Sequence, residues 1–371
     1  MGAVVFCNIT WMKDYRGITD YDKPNGKGGS FVKENNDAME QTNFLPFDGI
    51  CYGYVMHRGN LHIESLDKTA IKTDVLDDVT VVWVATGDNG RKIVGWYENA
   101  EMYRDWQVYE ENGCYIEYNF RTKAENAYLI PIGMRNFSIP SASKAGKGRG
   151  MGQSNVWYAD SEFGRQFIPN VLKYLAEIKQ KCRIVGFTAE ELKTAANIPN
   201  KTSDELLAMA AKACDNGEYL KSLQICNQAQ AVEESPYGAV RVCRALNLEK
   251  LFCYDEAIEV YKDALKNFTE DEYEAWRDVE AKEKLSWLYR ITGKNFLAWH
   301  LEEEIFAAYK EGKNNAGMVE SLLEMMSITE EEGNFDTLKE LIARFDDIGT
   351  KYCADVVDEY RDVVKQKGLA G

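Results

Sequence analysis

Apolar residues follow two different patterns along the chain. Before residue 186 they form short runs of β-branched and aromatic residues bounded by turn residues, a pattern that predicts strands. Ile168-Pro169-Asn170 predicts the start of a helix that continues to Lys179, because proline is favoured in a first turn. These features predict a small, partly open β-barrel with helices. The predicted strands are Val4–Ile9, Cys51–Met56, Leu61–Glu64, Thr80–Ala85, Lys92–Tyr97, Tyr115–Phe120 and Tyr128–Ile132.

After residue 203 the apolar spacing becomes helical. In the segment Tyr254–Leu265 apolar residues recur every three or four positions. Related segments begin at Tyr219, Phe296 and Phe335, and a glycine shortly before three of the four segments is expected to end the preceding helix. This pattern resembles tetratricopeptide repeats (TPR). It predicts four helix pairs over about 203–347 and a capping helix from Lys351 to Val364.

The charge divides the chain at the same place. Residues 1–187 carry 22 basic and 23 acidic residues, whereas residues 188–371 carry 22 and 37. The acidic half is therefore a poor surface for a nucleic-acid backbone. Repeat arrays present interaction surfaces, so this half is expected to bind a protein partner or to self-associate. It could also serve only as a spacer.

The composition is that of a folded protein with two domains. The 371 residues are 45% hydrophobic and 28% charged, and roughly 100–200 residues per domain gives two domains. No run approaches the ~18 apolar residues of a membrane span, and the first residues lack the basic start of a secretory signal. The nine cysteines have no CxxC spacing, which favours reduced thiols. We therefore expect a cytoplasmic protein without membrane contact.

The predicted β-rich half resembles a known superfamily. The run Val79–Ala85, followed by Lys92-Ile93-Val94-Gly95-Trp96-Tyr97, resembles the central hairpin of PUA-like domains, in particular the EVE and YTH branches. Val4–Trp11 is similar to their first strand and pocket loop, and Gly28-Gly29-Ser30-Phe31 to a segment that supplies one cage wall. Gly150–Tyr158 resembles a stretch of EVE-like modules in restriction and defence proteins.

The resemblance implies a fold and a function together. The fold class would be α+β, with a PUA-like domain over 1–186, a linker over 187–202 and a TPR-like domain over 203–371. The PUA-like domain would bind a modified nucleobase, with DNA as the expected partner, in a restriction or phage-defence context. The residues that the resemblance and their residue types suggest for base binding are Asn8, Trp11, Phe31, Trp96, Trp106, Gln153, Ser154, Asn155 and Trp157.

These aromatic residues have alternative roles. Trp96 and Tyr97 point to opposite faces of one strand, so only one can face a pocket, and Trp96 is preferred. Trp11 and Phe31 fit a cage and ordinary packing equally well. Trp157 fits packing better than a pocket wall. Trp106 follows the Gly-Trp-Tyr strand at a spacing that differs from that of the YTH branch.

A second feature is independent of any family. No Asp or Glu occurs from Asn126 to Ala159. Glycines alternate over 146–152 in the same window. A flexible basic loop of this kind could hold phosphates, and it could equally be a disordered surface loop. The candidate phosphate-binding residues are Arg135, Lys144, Lys147 and Arg149.

No catalytic constellation is recognisable. The three histidines, His57, His62 and His300, have no neighbouring ligand set with metal spacing, and there is no nucleophile elbow. No cofactor is expected. The sequence therefore predicts a non-enzymatic reader of modified bases coupled to a protein partner. The alternatives are a protein-interaction scaffold without nucleic-acid binding, an RNA-binding PUA-like protein, and a nuclease subunit whose catalytic chain is separate.

Overall fold

A computed structural model describes residues 2–19, 22–24, 38–111, 114–232, 238–266 and 272–368. The chain divides into two units, Met1–Leu192 together with Lys212–Glu218, and Lys193–Ala211 together with Tyr219–Gly371. A mixed β-sheet dominates the first unit, and a helical repeat array forms the second. The predicted α+β fold class is therefore confirmed.

The strands of the first unit form one sheet in the order β2-β3-β6-β5-β4-β1-β8, and β7 pairs with β5. β1 runs parallel to β4, and the other neighbouring strands are antiparallel. β2 and β8 lie at the two ends of this path. The strands are β1 (Ala3–Ile9), β2 (Pro46–Phe47), β3 (Ile50–Gly53), β4 (Val75–Gly87), β5 (Gly90–Glu111), β6 (Cys114–Lys123), β7 (Ala127–Leu129) and β8 (Val156–Trp157).

Several predicted elements have other bounds in the structure, and one is of another kind. Leu61–Glu64 is not a strand: Leu61 and Ile63 are buried, but Ile63–Ser65 forms a short 3-10 helix. The alternation of buried side chains there comes from packing of a loop. The helix predicted to begin at Ile168 begins at Glu162, because the Ser161 hydroxyl caps it by accepting from the backbone N–H of Gly164.

The alternation of side chains along β1 and β4 produces two packed faces. On one face the Trp83 ring meets Tyr97 and Phe120 edge to face, with ring centroids 5.2 and 5.6 Å apart. Gly53 is required beside this ring, since a Cβ there would lie 2.5 Å from the indole. The other face packs against the helix Glu162–Ile178. Both faces are therefore core around Trp83 and Trp96, whereas the later part of β5 and the first part of β6 carry exposed side chains such as Asp105 and Tyr115.

The second unit is built from antiparallel helix pairs. A positive φ at Gly217, Gly293 and Gly333 ends three of the helices, as the glycine pattern predicted. The last helix begins at Ala354, three residues after the predicted start at Lys351. The helices of the whole chain are α1 (Ala142–Ala145), α2 (Glu162–Ile178), α3 (Ala189–Lys193), α4 (Ser203–Asp215), α5 (Tyr219–Val232), α6 (Gly238–Lys250), α7 (Tyr254–Leu265), α8 (Glu272–Ile291), α9 (Asn295–Glu311), α10 (Asn315–Glu331), α11 (Phe335–Ile348) and α12 (Ala354–Gly368).

In this helical repeat array, most helices pack against their neighbours in sequence. Within the described ranges, no helix has both the length and the apolar character needed to cross a bilayer.

Candidate functional site

Two asparagines meet where β1 ends. The backbone N–H of Asn8 donates to the carbonyl of Asn155 at 2.7 Å, and the Asn8 amide nitrogen lies 3.3 Å from Asn155 Oδ1. Asn155 in turn donates to the carbonyl of Met56 at 3.0 Å. Asn8 Oδ1 is buried and has no hydrogen-bond partner among the described residues. The structure thus leaves one inward-facing amide acceptor without a donor.

Aromatic rings flank the Met56 carbonyl on the same chain segment, Tyr54 two residues before it and His57 one residue after it. The rings of Tyr54 and His57 both stack on Trp106, with centroids 4.8 and 4.2 Å away. Tyr54 is buried, whereas Trp106 and His57 are half-buried. The segment 54–57 therefore links the stacked rings to the asparagine pair.

Asn119 on β6 completes the group. Its side chain is fully buried, and its Oδ1 lies 3.2 Å from His57 Nε2. Its Nδ2 has no hydrogen-bond partner within the described part of the chain. A buried donor without an acceptor costs about 1–3 kcal/mol, so such an atom marks a place for water or a ligand. We call Asn8, Tyr54, His57, Trp106, Asn119 and Asn155 the aromatic–amide site.

The surroundings of His57 favour its neutral form. Burial lowers the pKa of its imidazole below the usual value, although the Gly59 backbone, the Asn119 amide and the Asp105 charge act in the opposite direction. A neutral imidazole carries one donor and one acceptor nitrogen. The tautomer that carries its proton on Nε2 donates to Asn119 Oδ1. The ring can therefore stack on Trp106 without the cost of a buried charge.

Two predicted base-binding tryptophans lie in the core. Trp96 is fully buried against Tyr128, with ring centroids 4.7 Å apart, and its indole N–H donates to Glu98. Trp157 is buried against Phe6 at 4.8 Å. Trp96 faces the side of the sheet that α2 covers. Neither ring presents a face on which a base could stack, which corrects the expectation for Trp96.

The other predicted contacts are scattered. Trp11 is half-buried and packs against Gly87, at the end of β4, and its ring lies 5.1 Å from the Arg135 guanidinium. Gln153 and Ser154 are exposed. Phe31 lies outside the described residues. Among the predicted base-binding residues that the structure describes, Asn8 and Asn155 are hydrogen-bonded to each other, and Trp106 is joined to them through 54–57.

Arg135 is not a surface cation. It is buried, and its guanidinium donates to the backbone carbonyls of Ile130, Met12 and Lys13. Its expected role in phosphate binding is therefore corrected: the charge is used to join two loops. Lys144, Lys147 and Arg149 are exposed, as a phosphate contact requires.

The glycine-rich loop is ordered by specific contacts. Gly146, Gly148 and Gly150 have positive φ, and a Cβ on Gly150 would lie 2.2 Å from the Pro140 carbonyl oxygen. The Ser161 hydroxyl donates to the Gly148 carbonyl at 2.6 Å. Two of the glycines, Gly148 and Gly150, therefore have structural roles in this loop.

Sequence reasoning missed three residues of the aromatic–amide site. Tyr54 and Asn119 belong to predicted strands, and His57 was considered only as a metal ligand. Their role depends on contacts between β3, β5 and β6, which no local pattern reveals. Across the described ranges, no group of three or more His, Cys, Asp or Glu residues could hold a metal ion.

Comparisons with known proteins add only likenesses in fold. No protein-family model matches the chain, and no curated protein matches it. Nearly identical TPR-like repeats from Podosopora anserina match with a TM-score of 0.34 at 15% identity, over 51% of this chain and 87% of theirs. BtubC (BKLC) from P. vanneervenii matches with a TM-score of 0.35 at 16% identity, over 50% and 75%. The apo form of RapI matches with a TM-score of 0.35 at 13% identity, over 56% and 70%. TM-scores this low establish no shared partner or activity.

Proposed function

We propose that the first unit binds a nucleobase that has left its stack, and that the aromatic–amide site receives it. The observation that carries this proposal is the pair of buried amide atoms without partners, Asn8 Oδ1 and Asn119 Nδ2. One is an acceptor and the other a donor, and the edge of a nucleobase offers both kinds of group. A bound base would supply hydrogen bonds that the protein alone leaves unmade.

The aromatic rings support the same ligand. Trp106 is half-buried, and the rings of Tyr54 and His57 stack on it. Stacking of one base on an aromatic side chain is worth about 1–3 kcal/mol. A ring already fixed by its neighbours loses little conformational freedom when a base binds. Extruding a base costs a few kcal/mol. The binding free energy from stacking and amide contacts together is large enough to offset that cost.

The substrate class is a nucleic acid carrying a small base modification, with DNA as the favoured strand. The resemblance to EVE and YTH modules supports this choice, together with the near-neutral charge of residues 1–187. The acidic excess of the chain lies in the helical array, where it does not oppose a strand bound to the first unit.

The test is binding of the full chain to fluorescent oligonucleotides, followed by polarisation. The panel holds unmodified, 5-methylcytosine, 5-hydroxymethylcytosine and N6-methyladenine forms, each in DNA and RNA. Trp106→Ala is expected to weaken binding of the preferred form by about tenfold to a hundredfold, because one stacked ring is lost. Trp287→Ala is the matched control, since Trp287 lies on the helical array and is 44% exposed.

Equal affinity of Trp106→Ala and the unchanged chain would overturn the assignment of the site. Preference for single-stranded RNA would keep the site and change the substrate. Binding to no member of the panel would leave the chain as a protein-interaction scaffold.

A second function, binding of a protein partner, is favoured by an exposed apolar patch on the array. Trp287, Ile291, Phe296 and Leu297 are each between 44% and 69% exposed. All lie at the end of the α8–α9 pair where Gly293 turns the chain. Exposed apolar side chains grouped in this way commonly mark interaction sites. We call these residues the α8–α9 patch.

Replacing Trp287 and Phe296 together by serine is expected to remove the interaction. The readouts are sedimentation velocity, for self-association, and affinity capture of a defined partner, once one is known. Ile71→Ser is the control, because Ile71 is 65% exposed but belongs to the first unit. An unchanged assembly state and unchanged capture in the double variant would remove the patch from the proposal.

A further inference from the structure

A cavity opens beside the turn between β4 and β5, and no part of the aromatic–amide site lines it. Its volume is about 520 Å³, and its walls come from residues 86–91 and 138–145. Arg91 and Lys144 contribute positive charge, and Asn89, Ser138 and Ser141 contribute polar groups. Within the described residues, none of the side chains lining it is acidic.

Arg91 is held in place but not fully satisfied. One terminal nitrogen donates to the carbonyl of Met151 at 3.1 Å, while Nε is buried and has no hydrogen-bond partner among the described residues. Burial lowers the pKa of the guanidinium below its usual value, and no carboxylate contributes to the shift. An arginine remains charged in any case. A half-buried cation without a carboxylate favours an anionic ligand.

The segment around Met151, which does not itself line the cavity, holds this arginine. The carbonyl of Met151 accepts hydrogen bonds from Arg91 and from the backbone N–H of Ala142. The N–H of Met151 donates to the carbonyl of Pro140. Gly150 permits the close approach to Pro140, since any side chain there would collide with the Pro140 carbonyl. One terminal nitrogen of the guanidinium is therefore already held before any ligand arrives, which reduces the freedom lost on binding.

The neighbouring groups suit a tetrahedral oxyanion. The Ser141 hydroxyl lies 2.7 Å from that of Ser143, and Ser138 accepts from Lys92 at 2.8 Å. Hydroxyls can rotate to donate to an anion, and Lys144 is exposed at the rim. Arginine, lysine and hydroxyl groups together are the usual contacts of a phosphate oxygen.

We propose that this cavity binds a phosphate group, with Arg91 as its main donor and Lys144 as a second cation. Two sources share this chemistry: the backbone of a nucleic-acid strand and a free phosphate compound. The site does not depend on base recognition, because it takes only a phosphate oxygen. Asp88 lies in the same turn but does not line the cavity.

The test uses the full chain and two probes. One is a fluorescent abasic deoxyribose-phosphate strand, which offers phosphates without bases, and the other is inorganic pyrophosphate as competitor. Arg91→Gln is expected to weaken binding of the strand about tenfold, the size of one lost charged hydrogen bond. It should also make the slope of log affinity against log salt concentration shallower by about one, because one phosphate contact is lost. Lys123→Gln is the control, because it removes the same charge from an exposed position on β6.

Each outcome decides one point. Loss in Arg91→Gln but not in Lys123→Gln supports the site. Competition by millimolar pyrophosphate then identifies a general phosphate site, and its absence identifies a strand backbone. No binding of either probe, or equal loss in both variants, overturns the proposal. If Arg91→Gln unfolds, Arg91→Lys, which keeps the charge, replaces it as the test variant. Trp106→Ala should bind the abasic strand normally, so failure of the base site and failure of this site are separable.

Discussion

Arg135 shows that an arginine expected to bind phosphate can have a structural role instead. An arginine in a window without acidic residues is a natural candidate for phosphate binding. In the structure its guanidinium instead donates to the carbonyls of Ile130, Met12 and Lys13. Arginine suits this task because its donors form a planar fork that can reach several acceptors at once. The residue therefore stabilises the loop after β1 against the segment after β7.

Arg135→Ala should destabilise the first unit by about 3 kcal/mol, because buried carbonyls would lose their donors. Urea unfolding of the full chain, followed by tryptophan fluorescence, measures the change. Arg149→Ala is the control: it removes an exposed arginine from the same window and should change stability by less than about 0.5 kcal/mol. Equal effects of the two variants would contradict the structural role of Arg135.

At the scale of elements, one helix of the array contains a buried acid. Glu302 on α9 is buried between neighbouring helices, and burial raises the pKa of its carboxyl to about 7. The carboxylates of Glu324 and Glu283 raise it further, while the hydroxyls of Ser286 and Ser321 lower it. Because the folded pKa exceeds the unfolded one, the charged form opposes folding.

This acid should make the stability of the array depend on pH. Its favourable contribution is complete below about pH 4.5 and is lost as the pH rises through about 7. Glu302→Gln imitates the protonated form, so it should stabilise the array by about 2 kcal/mol at pH 8.5 and by only about 0.5 kcal/mol at pH 5. Denaturant unfolding at both pH values checks this.

The matched control for Glu302 is Glu311→Gln, an exposed glutamate on the same helix. It should change the stability little at either pH. A gain from Glu302→Gln that is the same at pH 5 and pH 8.5 would show that the carboxyl does not titrate in this range.

At the scale of the whole molecule, the two units carry separate chemistry. The first unit contains the aromatic–amide site, the phosphate cavity and Arg135, whereas the second unit contains the α8–α9 patch. Trp106→Ala should therefore affect nucleic-acid binding alone, and the Trp287 and Phe296 double variant should affect protein association alone. If both variants impaired both activities, the two functions would be coupled through the chain.

Periodicity in the sequence was sufficient to predict the helical array. The apolar spacing and the glycines at 217, 293 and 333 determine where these helices end, because both act within a few residues of chain. Helices of such a repeat contact mainly their neighbours in sequence, so local patterns carry most of the fold. The strands around Val4–Ile9 and Thr80–Ala85 were predicted for the same reason.

Only the tertiary structure decided the candidate sites. Whether Trp96 faces a pocket or the core depends on which side of the sheet α2 covers, and the two-residue alternation cannot tell one side from the other. Asn8 and Asn155 are 147 positions apart, and Trp106, Asn119 and His57 meet through pairings between distant strands. The amino-acid sequence by itself thus determined the α+β class and the repeat, because these depend on local spacing. The three-dimensional contacts decided which polar and aromatic residues are buried, used or left open for a ligand.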